Sequence, residues 1–475
     1  METLAPSNRC SVKDLEQKRI LIIGAGPTGL GAAHRLHELG HRGFTVVEQS
    51  SHAGGLAASF LDDNGFTWDV GGHVQFSHYS YFDNVMDDVL KDEWIYHERE
   101  SWIWIRDRFV PYPFQNNIHY LPNEDKKKCL RGLIRAAQNN HAAAPLSNFG
   151  DWINRSFGEG IAEIFLLPYN YKVWAYPPSE LSHHWVGERV ATVDLERIIV
   201  NLIDGNDDVS WGPNNTFRFP LRGGTGEIWR RVASRLPCGT VQLNECVERV
   251  ETAHQKVTFT DGSSEPYDLL ISTMPLDRLV ALSDMETIRS SRSAMKFSTV
   301  HVVGVGLKGS PPPHLQTKCW IYFPESNCPF YRATVFSRYS PNNVPDASKY
   351  WSLMVEVSES PSKPVESQSI VESVINGLVA SRLISSKNEI CDIWHHIAPH
   401  GYPTPFLNRD NVTQPLISAL EEVNVFSRGR FGAWKYEVSN QDHSFMQGVE
   451  LVNRLGFGVP ELTIDYPNLV NALKR

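Results

Sequence analysis

Apolar and polar positions along this chain change period several times, and the first clear element is a short uninterrupted apolar run. Residues 19–23, RILII, have the pattern of a buried parallel strand covered on both faces. GAGPTGLGAAHRLHELG follows at 24–40 and reads as a glycine turn feeding a helix that stops at Gly40. FTVVEQ at 44–49 is a second strand, so the chain opens in β-α-β order, the start of a doubly wound sheet. Residues 126–175 carry Leu, Ala, Ile and aromatic residues at helical spacing, predicting helices over 126–140 and 147–167 in an inserted helical domain. Residues 216–275 return to short strands with a D-G hairpin turn, which rejoin the first sheet. From 297 to 360, β-branched and aromatic runs predict an antiparallel sheet, broken by Pro311-Pro312-Pro313.

A length of 475 residues exceeds one compact core and implies two or three domains, at roughly 100–200 residues each. With 41% hydrophobic and 21% charged residues the chain is expected to fold throughout. The net charge of −9 argues against nucleic-acid or membrane-surface binding, so any anionic ligand needs a local basic cluster. No stretch approaches the ~20 apolar residues that span a bilayer, and residues 1–19 lack a signal-peptide apolar core, so a cytoplasmic location is expected. Seven scattered cysteines without a C-x-x-C pair predict reduced, mostly buried thiols and neither disulfides nor zinc.

Gly24-x-Gly26-x-x-Gly29 lies between a strand and a helix, and Glu48 follows nineteen residues after Gly29, where a carboxylate can bind a ribose hydroxyl. The glycines suit a tight turn, close approach to a pyrophosphate, and close helix packing. A second match, Gly304-x-Gly306-x-x-Gly309, runs into the prolines and is read as strand and loop. One dinucleotide site is therefore expected. Gly54-Gly55-Leu56 and Asp69-Val70-Gly71-Gly72-His73 add glycine-rich loops that let backbone approach a flat group, which favours FAD over NAD. His73 and His78 have no cysteine or carboxylate cluster near them in sequence, so no metal is expected. Arg189, Arg332 and Arg430 stand among aromatic residues, with Tyr339, Tyr402 and Tyr436 in similar settings. These suit an anion clamp, and equally suit structural ion pairs and buried tyrosines. With no nucleophile elbow, P-loop or HExxH motif, the chemistry is expected to reside in the cofactor.

The segments GAGPTGLGAA, WDVGGHVQFSHY, VPYPFQNNI, LPYNYKVWA, WGPNNTFRFPLRGGTG, KCWIYFPESNCPFYRATVFSRYSP and GRFGAWKYEVSNQDHSFMQGVE closely resemble, in order, those of eukaryotic UDP-galactopyranose mutases. The resemblance implies interconversion of UDP-galactopyranose and UDP-galactofuranose by attack of reduced FAD N5 on the galactose anomeric carbon, with no net redox change. It implies NADPH as reductant and leaves both a monomer and a homo-oligomer open. By motif, His73, Arg189 and Arg332 would be catalytic, with Gly71, Gly72 and His73 forming a loop beside the flavin and the two arginines clamping the diphosphate with Tyr339, Tyr402 and Tyr436. Phe76, Tyr112 and Gln115 would hold uracil, and Asn170, Trp174, Asn214, Trp320 and Tyr322 would line the ribose and galactose. Gly24, Gly26, Thr28, Gly29, Glu48, Gly55, Leu56, Gly71, Gly72, Val247, Arg430, Asn440, Gln441 and Ser444 would hold FAD. The expected fold is α/β: a Rossmann-like FAD domain from 1–95, 211–275 and 425–475, a helical domain over 115–210, and an antiparallel sheet domain from 96–114 and 276–424. An FAD oxidase of the amine or protoporphyrinogen oxidase type is the alternative, and a non-catalytic UDP-sugar binder a third reading.

Overall fold

The computed structural model describes residues 15–139, 145–209, 212 and 215–473; the expectations for residues 1–14 and for Asn214 fall outside these. The opening run folds as read. Strand β1 (Ile20–Ile23) is wholly buried and passes through the glycine turn into helix α1 (Pro27–Glu38), with Pro27 in the first turn, where a missing N–H is tolerated. The chain returns as β2 (Phe44–Glu48). Strands β3 (Ser101–Ile105) and β4 (Arg108–Pro111) then form a hairpin before the helical region.

That region begins with α2 (Asn123–Asn139), close to expectation. The single helix expected over 147–167 is instead α3 (Phe149–Ile161), a π-helical turn at Ala162–Leu166, and α4 (Leu167–Trp174). Two causes break it, one tertiary and one local. Gly158 takes a φ of +70°, and a Cβ there would meet the carbonyl carbon of Gly132 at 2.2 Å, so the backbones of α2 and α3 touch. Pro168 then has no N–H for the regular ladder, and the wide turn precedes it.

Two sheets follow. Strands β5 (Val241–Leu243) and β6 (Leu269–Ser272) join the first sheet, and β7 (Phe297–Lys308), β8 (Trp320–Tyr322), β9 (Arg332–Val335), β10 (Tyr350–Glu359) and β11 (Ile390–Pro403) join β3 and β4 in the second. The last strand, β12 (Val425–Ser427), completes a five-stranded parallel sheet in the order β12-β6-β1-β2-β5. The seven-stranded sheet runs β11-β7-β10-β9-β8-β3-β4. It is antiparallel as expected except between β8 and β3, which pair in parallel because β3 arrives from a distant segment. The second glycine match lies in β7 and its exit: a Cβ on Gly304 would meet the Trp68 ring at 2.5 Å, so the glycines there seat aromatic rings.

Helix α5 (Gln441–Phe457) packs across α1. A Cβ on Gly31 would meet the Phe445 carbonyl oxygen at 2.2 Å, and one on Gly448 the Thr28 carbonyl oxygen at 2.1 Å, so the crossing brings backbone onto backbone. Of the six described cysteines, Cys129, Cys319 and Cys328 are buried, Cys246 and Cys391 half-buried and Cys238 exposed, so burial is less general than expected. Among the described residues no helix is long and apolar enough to cross a membrane.

Alanine is the better helix former, yet Gly448→Ala is expected to destabilise the protein by about 1–3 kcal/mol through overpacking. A melting temperature equal to or above the wild-type value would show that the two helices can separate without cost.

Candidate active site

The glycine turn between β1 and α1 has the shape a dinucleotide requires. Gly24 adopts a φ of +101°, and a Cβ on Gly29 would strike the Gly24 carbonyl oxygen at 1.9 Å, fixing the helix hard against the turn. A Cβ on Gly26 would face the Gly54 carbonyl oxygen at 3.8 Å and Gly55 Cα at 3.9 Å, so two glycine segments form a narrow cradle of bare backbone. Glu48 closes its floor from the end of β2. Its Oε2 accepts from Ala25 N at 2.9 Å and its Oε1 from Ser50 N at 2.9 Å, which holds the turn and leaves each oxygen further acceptor capacity. Thr28 lies between the crossing helices, its Oγ1 2.6 Å from where a Cβ on Gly429 would stand. Leu56 and Val247 pack on one apolar cluster beneath the sheet. At the start of α5, Gln441 Oε1 accepts from Trp229 Nε1 at 2.7 Å, and Ser444 N donates to the Asn440 carbonyl at 2.8 Å. These groups fit FAD: the cradle is bare glycine backbone that a dinucleotide can approach closely, and a carboxylate and a helix N-terminus flank it.

The loop Gly71-Gly72-His73 leaves the strand Thr67–Asp69 and rests on a carboxylate that motif reading missed. Glu356, on β10, is 2% exposed. Its oxygens accept from Arg332 Nε and Nη2, both at 2.8 Å, from the Tyr331 hydroxyl at 2.7 Å, and from Gly72 N at 3.1 Å. Arg332 is therefore already paired, a limit on its expected role as a free diphosphate clamp, with Nη1 its remaining donor group. A charged residue inside the apolar run YWSLMVEVSE was the available signal, because a buried carboxylate requires partners. Asp69 anchors the near end of the loop, accepting from the Ser59 hydroxyl and from Thr225 N. Burial raises its carboxyl to about 7.

Arg189 and Arg430 differ from Arg332. Arg189 donates to Asn440 Oδ1 at 3.2 Å and to the Glu437 carbonyl at 2.9 Å, and its buried Nε has no partner among the described residues. Arg430 donates to the carbonyls of Gly401 at 3.0 Å and Ser439 at 3.1 Å, and to Ser439 Oγ at 2.9 Å. Among the described residues neither guanidinium has a carboxylate within ion-pair distance. Burial pulls Arg430 below the ordinary guanidinium range, Tyr402 and Tyr436 opposing. The two arginines share Tyr436, whose ring centre is 4.7 Å from one and 5.9 Å from the other, and Arg430 also stands 4.9 Å from Tyr402. Trp174 joins this group, 4.7 Å from Tyr436 and 5.9 Å from Tyr402.

The remaining predicted residues divide. Tyr112 and Tyr322 meet at 5.5 Å, and Gln115 is buried with Nε2 donating to the Ala191 carbonyl at 2.6 Å. Asn170 donates to the Leu166 carbonyl at 2.8 Å from the same helix face as Trp174. Tyr339 and Trp320 lie inside an aromatic cluster around Phe217, their hydroxyl and indole N–H buried without partners among the described residues. Phe76 packs 5.8 Å from His78. His78 Nδ1 bonds Asp442 Oδ2 at 2.7 Å and its ring stacks on His443 at 4.6 Å. The three buried side chains are spaced closely enough to offer a metal three ligand atoms, a grouping invisible in sequence because Asp442 comes from 364 residues away.

A family profile described as flavin containing amine oxidoreductase matches residues 27–380. A crystal structure of reduced UDP-galactopyranose mutase is 49% identical, covering 96% of this chain and 98% of that one, with a TM-score of 0.94. A putative protoporphyrinogen oxidase from Exiguobacterium sp. 255-15 shares the fold at a TM-score of 0.70 but only 14% identity, covering 92% of this chain and 98% of that one. A 15-cis-phytoene desaturase from Glycine max is 31% identical over 86 residues; the matched stretch spans 18% of this chain and 15% of that protein.

Two outcomes are expected. Glu356→Ala strands a half-buried guanidinium, the Tyr331 hydroxyl and Gly72 N, and should cost about 3 kcal/mol in denaturant unfolding, and a cost under 1 kcal/mol would remove the residue from its central position. His73 is pulled from 6.5 down to about 4, chiefly by burial, with Arg430 and Arg332 assisting and Glu356 opposing. The unfolded chain therefore binds more protons between those values, so this contribution to stability is present above pH 6.5 and is lost as pH falls toward 4. Wild-type stability should fall more steeply across that window than that of His73→Asn, and parallel pH profiles would refute the assignment.

Proposed function

Because the chain belongs to the flavin containing amine oxidoreductase family and to the UDP-galactopyranose mutases within that fold, we propose that it interconverts UDP-galactopyranose and UDP-galactofuranose without net redox change. The observation that carries this reading is the pair Arg189 and Arg430, two guanidinium groups that lack a carboxylate partner among the described residues and share the face of Tyr436. Such a site has positive charge to spare, and a nucleoside diphosphate offers charge and planar oxygens to match it.

When bound, reduced FAD supplies the nucleophile, at N5 toward the galactose anomeric carbon. The cradle of Gly24, Gly26, Gly29 and Gly55 receives the pyrophosphate, with Glu48 on the ribose and Thr28, Leu56, Val247, Asn440, Gln441 and Ser444 around the remainder. Arg189, with Arg430 beside it on the cofactor side of Tyr436, and Nη1 of Arg332, unpaired among the described residues, together with Tyr402 and Tyr436 hold the substrate diphosphate and stabilise charge as it develops on departing UDP. Tyr339 adds a hydroxyl that is buried, has no partner among the described residues, and stands close enough to Arg332 to feel its charge. Tyr112, Gln115 and Phe76 hold uracil, and Asn170, Trp174, Asn214, Trp320 and Tyr322 position the sugars. His73 stays neutral, and its buried Nδ1, without a partner among the described residues, is able to exchange a proton or hydrogen bond beside the reacting ring. NADPH is the reductant, and the reaction is cytoplasmic.

The yellow protein, reduced anaerobically with NADPH or dithionite, should convert UDP-galactofuranose to UDP-galactopyranose on chromatography, and the oxidised form should not. No conversion with FAD bound, accompanied by peroxide release on amines or porphyrinogens, would favour the oxidase. Arg189→Ala should lower kcat by about 10²-fold or more, because its contribution grows with charge in the transition state. A rise in KM alone would assign it to ground-state binding instead.

A further inference from the structure

On the face of α4 turned away from Asn170 and Trp174, Lys172 and Cys328 meet in a contact that the proposed reaction does not use. Residues 170 and 174 align on one side of the helix, and 168 and 172 on the other, because positions four apart coincide and positions two apart diverge. Lys172 is 7% exposed, and its Nζ donates to the carbonyls of Glu325 and Cys328, each at 2.9 Å. Cys328 is 4% exposed, with Sγ 3.6 Å from the same Nζ. A cavity of about 840 Å³ is lined by both residues and by Glu163, Tyr171 and Lys363. An amine and a thiol are thus held in contact at the wall of a space that admits small oxidants.

We propose that Lys172 and Cys328 form a reversible redox cross-link, a sulfenamide between Nζ and Sγ, on exposure to hydrogen peroxide. In the first step a sulfur–oxygen bond forms as the peroxide O–O bond breaks; sulfur loses two electrons, and water leaves. In the second the Nζ lone pair attacks sulfur, the N–S bond forms, the S–O bond breaks, and hydroxide leaves as water with a proton from the amine. One thiol, one amine and one peroxide therefore give one sulfenamide and two waters. Two equivalents of a thiol reductant reverse it, becoming a disulfide and returning thiol and amine. Peroxide is at hand wherever dioxygen reoxidises a reduced flavin, but the site requires only the oxidant and does not rest on the mutase reading.

Burial lowers the Lys172 pKa, with Cys328 opposing, which favours the neutral amine that the second step needs. Burial raises the Cys328 thiol, with Lys172 opposing, so the first step is slow. The link would tie α4, which carries Asn170 and Trp174, to the segment that enters β9 at Arg332.

The test is peptide mass spectrometry of the holoenzyme after hydrogen peroxide treatment. The expected product is the Lys172 peptide joined to the Cys328 peptide, lighter than their sum by two hydrogens and released by a thiol reductant. It should be absent from Cys328→Ser and from Lys172→Arg, which keeps the charge but cannot condense. Linkage of segments 156 residues apart should also raise the wild-type melting temperature alone. Cys328 recovered unmodified, or as sulfinic acid with Lys172 free, overturns the proposal, and wild-type peptides decide this even if a variant fails to fold.

Discussion

Glu356 is one buried carboxylate that four donors from two separate stretches of chain must share. Arg332 and Tyr331 approach along β9, and Gly72 approaches from the loop after the strand Thr67–Asp69. Because a buried charge without partners is costly, these contacts are mutually conditional: the loop holds its place because the arginine neutralises the carboxylate. The seven-stranded sheet thereby sets the position of a loop that belongs in sequence to the nucleotide cradle. His73 inherits its surroundings from this arrangement, with one carboxylate opposing two guanidinium groups and burial deciding the balance.

The arginines are distributed by the same logic. The Glu437 carboxylate is held by Arg409 in a two-pronged pair at 2.8 Å, so it does not neutralise Arg189, which donates to the Glu437 carbonyl and to Asn440 Oδ1 instead. Arg430 is likewise met by carbonyl and hydroxyl oxygens. Dipoles orient these two groups without cancelling their charge, and tyrosine and tryptophan rings limit the water around them. A site built in this way attracts an anion and also aligns it.

The β1–α1–β2 opening was legible because glycine spacing, strand length and the acidic residue at the end of β2 are all local in sequence. Helices α1 and α2 and strands β7 to β10 were legible from periodicity, whereas the helices Ser80–Leu90, Leu195–Asp204, Gly226–Ser234, Ile370–Ala380 and Arg409–Glu422 and strand β11 were not read. The parallel β8–β3 contact was not, because periodicity does not choose a strand's neighbour. Nor was the break in α3, which depends on Gly132 in another helix. In the site, the residue types Arg, Tyr and His could be named, but their pairing could not. Arg332 and Arg189 look alike in sequence and differ in the fold because Glu356 lies beside only one. Asp442 and His443 escaped notice for the same reason, since the partner, His78, lies far back in the chain.

The crossing of α1 and α5 has a consequence for biosynthesis. The cradle opens at residue 24, yet its packing requires Gly448 on Thr28, Gly31 on Phe445, and β12 beside β6. Until residues 425–457 have left the ribosome, the first helix has one face without its cover and the five-stranded sheet lacks an edge. The ring of contacts, which runs from Thr28 to Gly448 and so encloses more than 400 residues, closes only when α5 packs on α1, which makes the nucleotide region depend on the last part of the chain to be synthesised.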